Sequence, residues 1–269
     1  MFRGGFIRRA ARTFALARTG HRIGREQGVR GAIHWRDHLM HHVLNHTQQG
    51  CQHGPEAGLR EYFDQGARDA QQVMAVMQQL GHAPGAKVLE FASGYGRVTR
   101  HLGLPDLTAC DIHRGAVSFL RRKLGVSALR STRAPADFDP ATRYDFIFVL
   151  SLFSHLPQHL FEGWLARLAA LLEPGGHLMF TTNCETAIAK VERMATGATA
   201  GAPFSFLPDT DQPDLETAIY GTAIVTSDYV RETVARSTRC RVVSHQPGRW
   251  WGTQDEWIIA APSTSATST

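Results

Sequence analysis

Hydrophobic residues follow two alternating patterns over residues 56–262. Short apolar runs of strand length are separated by longer segments in which apolar positions recur every three or four residues, the spacing of one helix face. The run 144–151, YDFIFVLS, is almost continuously apolar, which is typical of a central parallel strand that is buried on both faces. Strands that alternate with helices predict an α/β fold, a mostly parallel sheet with helices on both faces.

The same patterns place the individual elements. We expect helices over 56–80, 97–102, 114–124, 157–172 and 227–235, with Ser227 as the N-cap of the last. We expect strands over 88–89, 107–111, 126–129, 144–151, 177–182, 241–244 and 256–260, and an extra strand near 220–225. The turn Glu173–Gly176 is predicted to lead into the fifth strand.

The stretch that organises the chain is residues 85–100, GAKVLEFASGYGRVTR. Its apolar run carries Glu90, and Gly94 and Gly96 follow before a helical pattern begins. A strand, a glycine turn and a helix bring backbone N–H groups close to a ligand, and glycine is needed where a Cβ would block the ligand or forbid the turn. Asp111 ends the next strand, where a carboxylate can accept hydrogen bonds from both hydroxyls of a ribose.

Two nucleotide-type ligands fit this pattern. The dinucleotide fingerprint requires a third glycine where this chain has Thr99, and it gives Glu90 no role. The stretch instead resembles motif I of the class I S-adenosylmethionine-dependent methyltransferases, whose acid-xxx-Gly-x-Gly pattern is matched by Glu90, Gly94 and Gly96. Asp111 matches the ribose-binding acid of motif II. The resemblance implies S-adenosylmethionine as cofactor, S-adenosylhomocysteine as product, and a Rossmann-like, seven-stranded sheet whose antiparallel last strand lies beside the fifth.

Two later segments resemble the same family. The LEPGG turn at 172–176 is frequent in it, and residues 144–157 resemble motif IV of its small-molecule enzymes. The Asn/Asp-Pro-Pro-aromatic tetrapeptide of enzymes that methylate amino groups of DNA or glutamine side chains is absent there, which argues against those substrates. His155 follows the carboxyl end of the fourth strand, where ligands lie in such sheets, and is the candidate general base. Alternatively, His155 only packs or hydrogen-bonds its own loop.

The resemblance also implies a set of cofactor contacts. They are Tyr62, Glu90, Ala92, Gly94, Gly96, Asp111, Ile112, Ala134, Leu150 and Ser151. Tyr62 is the candidate aromatic residue of a helix that caps the methionine end of the cofactor, or else it packs in the seam between that helix and the core. Ala134 is predicted to contact the cofactor through its backbone. In the family, the loop that touches the adenine often carries an acid, but its position is ambiguous in this chain, because Asp137 lies later than the usual place.

The N-terminal region carries two further features. Residues 1–30 are rich in arginine with interleaved apolar residues, which predicts a basic, roughly amphipathic helix that docks on a membrane surface or partner, or packs on the main domain. A histidine repeat, His34, His38, His42 and His46, forms one stripe if helical. Such spacing can bind zinc, but only Asp37 supplies a carboxylate at ligand spacing. We therefore expect a polar helix face without a metal.

Composition narrows the function. The formal charge of +5 lies mostly in the N-terminal arm, and an arginine excess with few lysines often reflects genomic base composition, so nucleic-acid binding is disfavoured. Four widely spaced cysteines, Cys51, Cys110, Cys184 and Cys240, predict neither a disulfide framework nor a zinc ribbon and fit a reducing cytoplasm. No apolar run approaches the roughly 20 residues that span a bilayer.

The sequence therefore predicts three segments and one activity. Residues 1–55 form a basic, His-rich helical extension, 56–262 the methyltransferase domain with a substrate lid at 183–225, and 263–269 a disordered tail. The resemblance implies O- or N-methylation of a small molecule such as a natural product or sugar. Two alternatives stay open: an RNA or protein methyltransferase that uses the basic arm, and a non-catalytic scaffold of the same fold. Trp250 and Trp251 either line the pocket or pack the sheet edge.

Overall fold

The computed structural model describes residues 3–183, 202–209, 212 and 215–263, with side chains from residue 15 onward. The chain packs as two compact units: unit 1 is Met1–Ala83 with Ser93–Arg130, and unit 2 is Pro84–Ala92 with Ser131–Thr269. Much of the predicted lid at 183–225 and nearly all of the predicted tail at 263–269 lie outside the described residues. The predicted segment boundaries at residues 55 and 262 stay predictions.

The strands are β1 (Val88–Phe91), β2 (Leu107–Asp111), β3 (Ser127–Arg130), β4 (Tyr144–Val149), β5 (Leu172–Asn183), β6 (Phe204–Leu207), β7 (Thr222–Val225), β8 (Arg241–Trp250) and β9 (Gln254–Ala260). Seven of them form one sheet in the order β3-β2-β1-β4-β5-β9-β8, and β6 and β7 pair separately. The pairs β2–β3, β1–β4 and β4–β5 are parallel, whereas β9 runs antiparallel to both β5 and β8. The predicted Rossmann-like sheet, with an antiparallel strand beside the fifth, is confirmed.

The α-helices are α1 (Arg3–Glu26), α2 (His38–His46), α3 (Gln48–His53), α4 (Pro55–Gln79), α5 (Thr99–Leu102), α6 (Arg114–Phe119), α7 (Gln158–Ala170) and α8 (Ser227–Ser237). α6 continues as a π-helical turn, Leu120–Leu124, and Gly125 ends it in the left-handed conformation. Pro135–Asp137 forms a 3₁₀ turn.

Several predicted element ends are wrong, each for a local reason. The hydroxyl of Thr226, not of Ser227, accepts from the N–H of Tyr229, so the cap of α8 lies one residue earlier. The residues after Gly94 form turns, so the helix predicted from Arg97 begins only at Thr99. The LEPGG segment lies inside β5, where it bulges between the pairs Leu172–Tyr144 and His177–Phe146.

The histidine stripe is also shorter than predicted. α2 begins at His38, so His34 is not on this helix. Asp37 Oδ1 accepts from the N–H of Met40 at 3.0 Å, which makes Asp37 the cap of α2. Over the ranges that the structure describes, no three His, Cys, Asp or Glu side chains are grouped as metal ligands would be.

Unit 1 is built where α1, α2 and α4 meet. Their shared core consists of Leu16, Ile23, Met40, Val43, Leu44, Leu59, Tyr62 and Phe63. From residue 15 onward, α1 therefore packs on the rest of its unit. Of the two roles expected for the arm, docking on a membrane or partner and packing on the main domain, this contact favours packing for that part of the helix.

The glycine turn is held against α4 by a steric and an ionic contact. A Cβ on Gly66 would lie 2.3 Å from the carbonyl oxygen of Arg97, so only glycine allows α4 to approach so closely. One turn later, Asp69 Oδ2 lies 2.6 Å from Arg97 Nη1, with both side chains about nine-tenths buried. Removing one partner of such a buried pair leaves an uncompensated charge, so this ion pair fixes the orientation of the turn on α4.

Unit 2 is centred on β4, whose Phe146, Ile147, Phe148 and Val149 are completely buried. On the β8–β9 hairpin, Trp250 is 1% exposed and donates to Glu256 at 2.8 Å, so it packs the sheet. Trp251 is 42% exposed and lies at the turn with φ +53°. The packing interpretation therefore holds for Trp250, and Trp251 faces outward.

No helix within the described ranges combines the length and apolarity that crossing a membrane requires.

His101 makes the stability of unit 1 depend on pH. Burial, with the nearby charges of Arg100 and Arg97, lowers the pKa of His101 to about 4 from the model-peptide value of 6.5. The unfolded chain then binds more protons than the folded chain between these two values, so stability falls as the pH drops from about 6.5 towards 4. Between about pH 6.5 and pH 4, urea denaturation should therefore show a smaller loss of unfolding free energy for His101→Phe than for the wild type. If the unfolding free energies of the two proteins changed with pH in parallel, His101 would not be the source of the pH dependence.

Candidate functional site

The two glycines of the turn have different roles in unit 1. Both have positive φ, +55° for Gly94 and +74° for Gly96. A Cβ on Gly96 would lie 2.4 Å from Leu124 Cδ1 and 2.9 Å from Leu120 Cδ2, so Gly96 allows the turn to pack on the π-helical turn. A Cβ on Gly94 would meet no atom within 4 Å. Gly94 therefore leaves open space beside a backbone that a ligand can approach.

Asp111 is fixed by the same turn. Its Oδ2 accepts from the N–H of Gly94 at 2.9 Å, and its Oδ1 accepts from the N–H of His113 at 2.8 Å. His113 Nδ1 lies 3.0 Å from Oδ1. A carboxylate offers about four acceptor positions, and three are engaged by these contacts. Within the described residues, one lone pair of Oδ2 therefore remains available to a hydroxyl donor.

The other predicted residues of unit 1 have structural contacts. Tyr62 is 1% exposed and donates its hydroxyl to Asp37 Oδ2 at 2.6 Å, and burial followed by the Asp37 charge raises its pKa well above the ordinary value. These contacts favour the packing interpretation, and a cofactor contact for Tyr62 stays a prediction. Ile112 accepts from Arg130 Nε through its carbonyl at 3.2 Å.

In unit 2, two predicted residues have left-handed backbones without being glycine. Ala92 follows β1 with φ +63°, and Ser151 follows β4 with φ +58°. β1 and β4 are parallel neighbours with Phe91 opposite Val149, so both residues lie just beyond the same ends of paired strands. Such conformations cost about 1–3 kcal/mol and concentrate at functional sites.

The remaining predicted cofactor residues of unit 2 differ in exposure. Glu90 is 4% exposed within β1, and Leu150 is partly buried. Ala134 is exposed, and its carbonyl accepts from Thr132 Oγ1 at 2.7 Å. This carbonyl is therefore engaged inside its own loop.

A directed hydrogen-bond network surrounds Ser151. The N–H of Ser151 donates to Thr181 Oγ1 at 2.8 Å, and the Thr181 hydroxyl donates to Gln254 Oε1 at 2.7 Å. This contact orients the amide, so Gln254 Nε2 donates to Ser151 Oγ at 3.0 Å and to Ser154 Oγ at 3.2 Å. Because both serine oxygens accept from the amide, their own protons must point away from Gln254.

His155 lies next to this network. Its Nδ1 is 2.7 Å from the carbonyl oxygen of Gly221. A carbonyl can only accept, so Nδ1 carries a proton, and in the neutral ring Nε2 is the acceptor. Nε2 lies 3.5 Å from Ser151 Oγ, and the ring stacks on Tyr220 at 4.6 Å between centroids. His155 therefore presents a fixed acceptor nitrogen past the end of β4.

Each unit thus brings together part of the predicted set. Unit 1 contains Tyr62, Gly94, Gly96, Asp111 and Ile112, and unit 2 contains Glu90, Ala92, Ala134, Leu150, Ser151 and His155. Thr181 and Gln254 were not among the predicted site residues. Neither lies in a motif, and their link to Ser151 depends on the pairing of β5 with β9 across 73 positions of sequence.

Comparisons with known proteins place these features in a family. The model of a family described as a methyltransferase domain matches residues 62–208, which is more than half of the chain. Phthiotriol/phenolphthiotriol dimycocerosates methyltransferase 1 of Mycobacterium ulcerans (strain Agy99) is 31% identical over 102 residues. The aligned stretch covers 36% of this chain and only 37% of that protein.

Solved structures show the same fold. An S-adenosylmethionine-dependent methyltransferase from Clostridium acetobutylicum ATCC 824 aligns over 72% of this chain and 91% of its own, with a TM-score of 0.54 and 10% identity. The glycopeptide N-methyltransferase MtfA, complexed with S-adenosyl-L-methionine, aligns over 73% of this chain and 94% of its own, with a TM-score of 0.53 and 17% identity. At these identities the likeness concerns the fold alone.

The Ser151 network predicts a difference between two substitutions of Thr181, which is fully buried. Thr181→Val leaves Gln254 Oε1 and the Ser151 N–H without their partner, at about 1–3 kcal/mol for each buried group. Thr181→Ser keeps the hydroxyl and loses one methyl group, worth about 1 kcal/mol. Urea denaturation should show a larger loss of unfolding free energy for Thr181→Val than for Thr181→Ser. Equal losses would mean that the hydroxyl does not stabilise the network.

Proposed function

We infer that this chain, which belongs to the methyltransferase-domain family, transfers a methyl group from S-adenosylmethionine to a small-molecule acceptor. The observation that carries this proposal is the carboxylate of Asp111, which is held by the N–H of Gly94 and keeps one acceptor position open. The open space beside Gly94 fits a ligand that approaches the backbone. Solved structures of the same fold have been obtained with this cofactor bound.

In this proposal the cofactor contacts divide between polar and steric roles. Asp111 accepts a hydrogen bond from a ribose hydroxyl, and Gly94 provides the room for close backbone approach. Glu90, Ala92, Ile112, Ala134, Leu150 and Ser151 are proposed as the further contacts, on the family pattern. Bound S-adenosylmethionine supplies an electrophilic methyl group on a sulfonium with a neutral leaving group. The enzyme then contributes mainly alignment of the acceptor atom with that methyl group.

His155 is proposed as the general base for a hydroxyl or ammonium acceptor. The proton released from the acceptor moves to Nε2, since Nδ1 is already protonated towards Gly221. The contact with Gly221 and the stacking on Tyr220 hold the ring in this orientation. The mycobacterial relative and MtfA are both named for small or glycopeptide acceptors, which supports a small-molecule acceptor here.

Asp111→Asn should weaken binding of S-adenosylhomocysteine by about ten- to a hundredfold, the range for one hydrogen bond to a charged group. The neutral amide loses the charge, and its NH₂ group would oppose the N–H of either Gly94 or His113. Isothermal titration calorimetry measures the change. Asp106→Asn is the matched control, because Asp106 is an exposed acid that precedes the opposite end of β2. Equal affinity for wild type and Asp111→Asn would remove Asp111 from the cofactor site, and no binding to the wild type would refute the proposed cofactor.

His155→Ala should lower turnover by about a hundredfold or more, the usual contribution of a general base, with affinity for S-adenosylhomocysteine unchanged. A panel of small alcohols and amines, followed by release of S-adenosylhomocysteine, identifies an acceptor and then gives the rates. His159→Ala is the control, since His159 is exposed on α7. Unchanged turnover in His155→Ala would leave His155 with a packing role only.

A further inference from the structure

The segment 29–36, here called the strap, follows α1, and its backbone lies directly against the backbone of that helix. The N–H of Val29 donates to the carbonyl of Gly24 at 2.8 Å. A Cβ on Gly31 would lie 2.2 Å from the carbonyl oxygen of Gly20, and a Cβ on Gly24 would lie 2.4 Å from the Cα of Gly31. The strap and α1 are thus in backbone-to-backbone contact, which leaves the strap little freedom to move.

Arg100 joins the strap to the glycine turn. Its Nη1 donates to the carbonyls of Arg30 and Ala32 at 3.1 and 2.8 Å, on the two sides of Gly31. Its Nε donates to the carbonyl of Gly96 at 2.8 Å, and its Nη2 donates to the carbonyl of Tyr95 at 3.1 Å. One planar guanidinium therefore holds two carbonyls of the strap and two of the turn in a single arrangement, which an ammonium group cannot reproduce.

The guanidinium itself is fixed by α4. Its central carbon lies 4.8 Å from the centroid of the Phe63 ring, within the range of a cation–π contact. The position of Arg100 is therefore set by the core of unit 1 and not by the strap alone.

A second contact joins the same two segments. The ring of His34, in the strap, stacks on Tyr95 with centroids 4.4 Å apart and planes at 11°, and it meets Phe119 edge-on. His34 Nδ1 accepts from the N–H of Arg36 at 3.2 Å. Burial lowers the pKa of His34 from its ordinary value, so the stacked ring is neutral at neutral pH. Tyr95 lies between Gly94 and Gly96, so the stack also holds the centre of the turn.

We propose that Arg100 is a positioning residue for the cofactor, through which the strap holds the Gly94–Gly96 turn in its ligand-binding conformation. This inference rests on the proposed function, because the turn must bind S-adenosylmethionine for its conformation to matter. A turn with two glycines has many accessible conformations, and fixing one in advance lowers the cost of binding. The strap adds such a restraint from outside the turn, beside those that α4 and the π-helical turn already provide. This gives the N-terminal region an intramolecular role, which neither its charge nor its histidine repeat indicated.

The test compares Arg100→Lys with Arg121→Lys by calorimetric titration with S-adenosylhomocysteine. Arg121 is the matched control in the same unit, because its Nε and Nη2 both donate to the carbonyl of Ala128, in β3 and away from the turn. We expect Arg100→Lys to weaken binding by about tenfold, a usual size for coupling between two sites, and Arg121→Lys to bind like the wild type. Thermal melts check beforehand that both variants are folded at the assay temperature, because partial unfolding would also lower the apparent affinity.

Hydrogen–deuterium exchange of the wild type gives a second readout that needs no variant. Coupling is reciprocal, so S-adenosylhomocysteine should slow exchange of the strap amides if the strap restrains the turn. Wild-type affinity in Arg100→Lys would overturn the inference and leave the proposed function intact. If Arg100→Lys does not fold, unchanged exchange in the strap would overturn it as well. Absence of any binding to the wild type would refute the proposed cofactor, and the inference with it.

Discussion

The close approach of the glycine turn to its neighbours is the constraint on which unit 1 depends. Gly96 lies where any Cβ would collide with Leu120 and Leu124, and Gly66 lies where a Cβ would collide with the carbonyl of Arg97. The turn is thus pressed between α4 and the helix that follows β2. In this arrangement the N–H of Gly94 donates to Asp111 Oδ2. The geometry of the proposed ribose site is therefore a consequence of backbone packing, with one carboxylate added.

Unit 2 reaches a comparable precision by hydrogen-bond direction instead of sterics. The Thr181 hydroxyl accepts from the Ser151 N–H and donates to Gln254 Oε1, which turns the NH₂ of Gln254 towards the two serine hydroxyls. The carbonyl of Gly221 likewise allows only one tautomer of neutral His155. The hydroxyls of Ser151, Ser154 and Thr181 and the amide of Gln254 are therefore joined in one chain of donors and acceptors. A side chain of similar shape that cannot donate or accept, such as valine in place of Thr181, would therefore break hydrogen bonds of the network while keeping the packing.

The sequence predicted those parts of the structure that depend on local chemistry. The sheet, α4, and the positions of Gly94, Gly96 and Asp111 follow from periodicity and from what glycine and a strand-end acid can do. Apart from the element ends, which are shifted by local contacts, the failures involve interactions between distant segments. His34 leaves the predicted stripe because Asp37 caps α2 and Tyr95 offers a stacking partner 61 positions away, and no periodicity carries that information. Arg100 looked like an ordinary helix residue because its four acceptors are backbone carbonyls, which every sequence possesses.

The two non-glycine residues with positive φ connect the fold with the proposed chemistry. Ala92 and Ser151 each end a parallel strand by turning the chain into a conformation that disfavours their own side chains. The sharp turn at Ser151 places its N–H against Thr181 and its hydroxyl within 3.5 Å of His155 Nε2. The strain at Ser151 is maintained because three hydrogen-bonding side chains from β5, β9 and the loop after β4 surround this residue. Replacing Ser151 by glycine would relieve the backbone and remove the hydroxyl that accepts from Gln254, so conformational ease and the hydrogen-bond network oppose each other at this position.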